Sequence, residues 1–159
     1  MAVALVVLSF AACEQEVTDS PPPRTVVDVD AEEPCSLLTP DQVEQAIGTE
    51  VGGEAEVDSH DPVTRICSYD TTEPWASVGV SLVEDVTLGQ FTEKMNRDSI
   101  NTEPVGGIGN GAFIHGCASI TTLVGDVMVS VSIQHLTTCE ETNDVLKALG
   151  GAVEEALKA

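Results

Sequence analysis

Along residues 127–133 the chain alternates: Val127, Val129, Val131 and Ile133 fall on one side, Met128, Ser130 and Ser132 on the other. A period of two is that of a half-buried strand. Runs rich in Val, Ile, Ser and Thr predict further strands over 51–57, 64–69, 76–83, 111–117 and 119–124, and extend the first to 127–136. Gly125-Asp126 joins the last two as a two-residue hairpin turn.

Capping chemistry marks three helix starts between these runs. In Leu38-Thr39-Pro40-Asp41-Gln42-Val43, Thr39 caps, Pro40 takes the first helical position, Gln42 closes a capping box and Leu38 packs on Val43; Val43 and Ile47 form the apolar edge and Gly48 ends the helix. Val86, Thr87, Gln90 and Phe91 repeat that grammar, with Leu88, Phe91 and Met95 as the apolar stripe. The third helix starts at Thr138, with Glu141 completing its box and Val145, Leu146, Leu149, Val153 and Leu157 as its buried face. Glu140 and Glu141 at its start and Lys158 at its end suit the helix dipole. The order helix, strands, helix, strands, helix predicts an α+β fold, an antiparallel β-sheet with helices packed on it. Its two halves suggest a duplication in layout, although their residues do not align.

The amino-terminal segment follows a different pattern. Residues 2–12 are an apolar run of 11 residues that stops at Cys13 and is followed by Glu14, Gln15 and Glu16. A spanning helix needs about 20 residues, at about 1.5 Å each, to cross a hydrocarbon core of about 30 Å, so the run fits the apolar part of an export signal. Ala11 and Ala12 before Cys13 resemble the bacterial lipobox, whose cysteine receives a diacylglyceryl group and becomes the new amino terminus. The expected layout is a lipoprotein signal peptide over 1–12, a lipid-anchored acidic and Pro-rich tether over 13–34, and an α+β domain over 35–159. The 21 residues from Glu14 to Pro34, with Pro21-Pro22-Pro23 among them, would reach about 25 Å as a coil and about 65 Å if extended.

Composition narrows the function. With 27 acidic and 6 basic side chains the net charge is −21, which argues against nucleic acid, because phosphate binding depends on Lys and Arg that displace counterions. It also argues against a polybasic grip on lipid, leaving the lipid on Cys13 as the membrane contact. At 42% hydrophobic residues the chain still has the material for a real core.

Setting Cys13 aside leaves Cys35, Cys67, Cys117 and Cys139, an even number that in an exported chain predicts two disulfides among three connectivities. Locality favours Cys35 with Cys67 and Cys117 with Cys139, closing loops of roughly 22–32 residues, each worth about 3–4 kcal/mol. A competing reading takes His115, Cys117, His135 and Cys139 as zinc ligands, with His115 and Cys117 on one strand face. Their spacing is not that of a standard finger or ribbon, and an oxidising exterior favours the disulfide.

The segments Pro34-Cys35-Ser36-Leu37-Leu38-Thr39-Pro40, Ile47-Gly48, Cys67-Ser68-Tyr69 and Gly107-Ile108-Gly109-Asn110-Gly111-Ala112 together resemble a family of actinobacterial cell-envelope lipoproteins of unknown function. The resemblance covers Cys35 to the carboxyl end. It implies a Cys35–Cys67 bridge and a location on the extracytoplasmic face of the cell membrane, and it implies no reaction.

Chemistry in the folded part is sparse. The Gly106–Gly111 stretch runs into strand-like Ala112-Phe113-Ile114 and not into a helix, so it lacks the helix amino terminus of a phosphate loop. His60, His115 and His135 lie outside any Gly-x-Ser-x-Gly setting. After the signal the only aromatics are Tyr69, Trp75, Phe91 and Phe113; Tyr69 and Trp75 flank a turn, where core packing is the expected role and the lining of one apolar pocket the candidate functional one. The expected function is a non-catalytic binding module, needing no cofactor or metal, that contacts another envelope protein or a small ligand. The alternative is a cell-wall hydrolase or metal-dependent enzyme using His115 or His135.

Overall fold

The computed structural model describes residues 34–159 apart from 54, 59–64, 73–75, 99 and 135–137. Its strands are β1 (Glu56–Asp58), β2 (Arg65–Asp70), β3 (Ser77–Val83), β4 (Thr102–Val105), β5 (Gly111–His115), β6 (Ser119–Val124) and β7 (Val127–Gln134). Its helices are α1 (Pro40–Ile47), α2 (Leu88–Arg97) and α3 (Cys139–Lys158), preceded by a 3-10 turn at Pro34–Ser36. The strands form one antiparallel sheet in the order β1-β2-β3-β7-β6-β5-β4. The fold is α+β, as the order of elements predicts.

Alternation decides which side of the sheet each helix covers. Val78, Val80 and Leu82 of β3 and Val129, Val131 and Ile133 of β7 are buried on the face that carries α1 and α3. From α3 the side chains of Leu146, Leu149, Val153 and Leu157 enter this core, each at most 1% exposed. Burial of such a side chain contributes about 1.5–3 kcal/mol, whereas the surface pair Lys158–Glu154 belongs to a class worth about 0.3–0.5 kcal/mol. Packing therefore holds α3 in place. Gly150 lets the helix sit low, since a Cβ there would stand 3.0 Å from Ile120 Cδ1.

On the opposite face, α2 covers one end of the sheet. Phe91 packs with Val86, Phe113 and Leu123, and with partly buried Val83, Met95 and Met128; the Phe91 and Phe113 rings are 5.4 Å apart. Having α1 and α2 on opposite faces breaks the suggested duplication, because repeated units would place equivalent helices on the same side.

Three local readings are corrected. The run over 51–57 is interrupted by Gly52-Gly53, so only an isolated bridge from Val51 to Thr71 and the short β1 remain. Strand β5 stops at His115, because Gly116 turns at φ 58° and puts Cys117 in the hairpin, off the strand face proposed to share it with His115. Leu88 is 61% exposed: it is the first helical residue, and Phe91 and Met95 make the apolar contact of the helix without it. Strand β4 escaped the alternation signal because it is an edge strand containing Pro104, a residue tolerated only where no ladder donor is required. The first two capping boxes form as written, while at α3 the Glu141 carboxylate accepts from the Thr138 hydroxyl.

Among the described residues, no helix is long and apolar enough to cross a membrane.

Candidate functional site

Small polar residues line the part of the α2 face that α2 leaves open. One cross-strand row reads Glu56, Ser68, Gly79, Ser132, Ser119, His115 and Thr102, in register across all seven strands. The next reads Ile66, Ser81, Ser130, Thr121 and Phe113. Apart from Ile66 and from Phe113, which lies under α2, these positions are the polar half of the same alternation that builds the core, so the face is set by the strand period itself.

Four of the hydroxyls, on Ser81, Thr121, Ser130 and Ser132, are engaged locally. Thr121 Oγ1 and Ser130 Oγ share a hydrogen bond of 2.8 Å, Ser132 Oγ donates to the Gly79 carbonyl at 3.4 Å, and Ser81 Oγ donates to the Ser130 carbonyl at 3.5 Å. Gly79 keeps the middle of the row flat, because a Cβ there would lie 2.8 Å from Ser132 Oγ. The surface is suited to hydrogen-bonded contact.

His115 is the next-to-last position of the row, beside Thr102 of the edge strand, and is exposed. Nearby, Lys94 Nζ donates to Asp98 Oδ2 at 2.7 Å. That bond, ahead of the Lys94, His115 and Arg97 charges, holds the Asp98 carboxyl below the ordinary carboxylate range, while desolvation opposes it. This corner is an ion pair with a histidine beside it. Among the described residues no three His, Cys, Asp or Glu side chains converge as a metal set.

Tyr69 lies in the core, 1% exposed. Its hydroxyl donates to the Leu38 carbonyl at 2.5 Å and lies 3.2 Å from that of Cys35, and burial raises its pKa. Tyr69 thus ties the segment before α1 to β2. Tyr69→Phe is expected to lower stability by about 1–3 kcal/mol, the cost of leaving a buried acceptor unpaired, read as a lower urea midpoint with an unchanged slope. An unchanged midpoint would remove this role. Its proposed pocket companion Trp75 lies outside the described residues, as do Cys13, His60 and His135.

Both proposed disulfides form, Cys35–Cys67 and Cys117–Cys139. With Cys117 and Cys139 bonded to each other, the two-histidine, two-cysteine zinc set has no thiolates to offer, and that reading is withdrawn.

The glycine stretch before β5 has a structural role that residue pattern alone did not reveal. Ile108 is buried against the core, Gly107 and Gly109 adopt φ of 84° and 57°, and Asn110 donates to the Leu123 carbonyl at 2.6 Å. Asn110 Oδ1 also accepts from Gly125 N at 2.7 Å, pinning the β6–β7 hairpin. Glu154 on α3 completes the clasp: hydrogen bonds from Lys158 and then from the Gly109 amide hold its carboxyl below the ordinary range against desolvation. The signal in the sequence, Gly at alternate positions around a lone Ile, excludes a phosphate loop but does not name these partners.

A shallow groove of about 430 Å³ runs beside the end of α1, lined by Asp41, Glu44, Gln45, Gly48, Thr49 and Glu50. Glu44 Oε1 there accepts from Val51 N at 3.0 Å, so this carboxylate anchors the chain leaving the helix.

No protein-family model, curated protein or solved structure matches the chain.

Proposed function

We propose that the protein is an exported lipoprotein, held on the extracytoplasmic face of the cell membrane by lipid on Cys13, whose α+β domain is a non-catalytic binding module for another envelope protein or a small ligand. The two disulfides carry this reading, because such bonds persist in oxidising compartments and not in a reducing cytosol. The lipobox-like Ala11-Ala12-Cys13 and the acidic Pro-rich segment up to Pro34 supply an anchor and a tether ahead of the first turn. The resemblance to actinobacterial envelope lipoproteins points the same way. The hydroxyl-lined half of the sheet, engaged in mutual and backbone hydrogen bonds, suits contact more than chemistry.

The test is expression of the full chain in a host that processes lipoproteins. Native protein is expected to partition into detergent, with a mass that places diacylglycerol on Cys13; Cys13→Ser is expected to stay in the aqueous phase. A native chain that keeps residues 1–12, or carries no lipid, would overturn the anchor. For a membrane lipoprotein one acyl signal alone gives only reversible attachment, whereas two chains hold firmly, so the shift between phases should be near complete.

A further inference from the structure

The two disulfides occupy opposite environments. Cys67 sits on the core face of β2 with no exposure and belongs with Cys35 to the main apolar cluster. Cys139 is exposed, Cys117 is half-buried in the β5–β6 turn, and neither belongs to a core cluster. Cys139 is also the first residue of the 20-residue helix α3, where aligned peptide dipoles favour negative charge and lower a thiol's pKa. Access favours attack at Cys139, and the helix start favours Cys139 as the leaving thiolate of the second exchange.

We propose that Cys117–Cys139 is a thiol-exchange site that a neutral or cationic dithiol reduces in the folded protein, while Cys35–Cys67 stays closed. The incoming thiolate attacks the Sγ of Cys139, the more exposed of the two residues. The S–S bond breaks, and its electron pair goes to Cys117, which takes a proton from water. The second thiol of the reductant, deprotonated, then displaces Cys139 from the mixed disulfide; Cys139 leaves as a thiolate at the start of α3. Two electrons pass to the protein, the dithiol becomes a disulfide, and Cys117 and Cys139 become thiols. Glu140 and Glu141 follow Cys139 directly, and with the net charge of −21 they disfavour an anionic reductant.

The opening is local in this geometry. The buried side chains of α3 run from Thr142 to Leu157, so the bond ties down the first turn, while Leu146, Leu149, Val153 and Leu157 keep the rest on the sheet. Reduction would release the β5–β6 turn from the helix start without unseating the helix.

The experiment treats the full oxidised protein, under native conditions, with dithiothreitol and iodoacetamide, and follows the four cysteines by peptide mass. Cys117 and Cys139 are expected to be alkylated at least about tenfold faster than Cys35 and Cys67, as expected for an exposed bond against one that needs opening of the core. Equal rates, or earlier labelling of Cys35 and Cys67, would overturn the proposal. A brief pulse of 2-mercaptoethanol, quenched in acid, is expected to leave the adduct on Cys139; an adduct on Cys117 would overturn the assignment of the entry sulfur. The anionic thiol 2-mercaptoethanesulfonate is expected to react more slowly than 2-mercaptoethanol at low salt, with the gap closing at high salt, and a salt-independent ratio would overturn the charge preference. Hydrogen exchange on the reduced protein is expected to retain protection from Leu146 to Leu157; loss of protection there and across β2 and β3 would show global unfolding and overturn the local opening.

Discussion

Gly109→Ala is expected to destabilise the domain by about 3–5 kcal/mol, through two separable costs. Gly109 sits at φ 57°, and a Cβ built on it would lie 2.4 Å from the Leu123 carbonyl oxygen and 2.7 Å from Thr122 Oγ1. An L-residue in the left-handed region costs about 1–2 kcal/mol before any clash. The clash is with backbone, which cannot swing aside as a side chain can. Moving Leu123 away also stretches the bond from Asn110 N to the Leu123 carbonyl and the clasp from the Gly109 amide to Glu154. Gly106→Ala is the internal control, because its φ is not positive and a Cβ there meets nothing within 4 Å. Urea denaturation of the pair checks the argument: a large drop in midpoint for Gly109→Ala beside a small change for Gly106→Ala is the expected result, and equal effects would sink the idea that the loop is clamped at Gly109.

That loop also shows what sequence can and cannot convey. Helix starts were legible because caps are local: Thr39 with Gln42, and Thr87 with Gln90, hold both halves of their hydrogen-bond exchange within four residues. The clear strands were legible because burial on one face imposes a period of two, as in β7. The Gly-Ile-Gly-Asn stretch depends instead on partners far along the chain, Leu123, Gly125 and Glu154, and no local pattern encodes them. Strand β4 was lost for a related reason, since Glu103 and Pro104 make sense only once the strand is known to be an edge. Tyr69 left two roles open, because an aromatic beside a turn fits core or pocket; its bonds to Leu38 and Cys35, more than 30 positions earlier, place it in the core. The hydroxyl face was present in the sequence as Ser130 and Ser132 against Ser77, Gly79 and Ser81. Its meaning needed the register that puts Gly79 beside Ser132 and Ser81 beside Ser130.

Removing the two disulfides separately should give unequal losses although their loops are similar. Sequence separations of 32 and 22 residues correspond to about 3.7 and 3.4 kcal/mol of chain entropy, a difference too small to measure reliably. Environment separates them. Replacing Cys35 and Cys67 with alanine also empties space in the main core, where Cys67 has no exposure, and the lost packing adds about 1 kcal/mol or more. Replacing Cys117 and Cys139 trims side chains at an exposed turn and helix start, where the structure can relax. The expected losses are about 5 kcal/mol for the first pair and about 3 for the second. Against a typical total of about 5–15 kcal/mol, the first loss leaves a marginal domain and the second a folded one. Thermal unfolding of the two double variants, at matched protein concentration, provides the comparison. A larger loss from the Cys117 and Cys139 pair would mean that the start of α3 depends on its covalent tie more than on its buried face, and would contradict the packing argument for that helix.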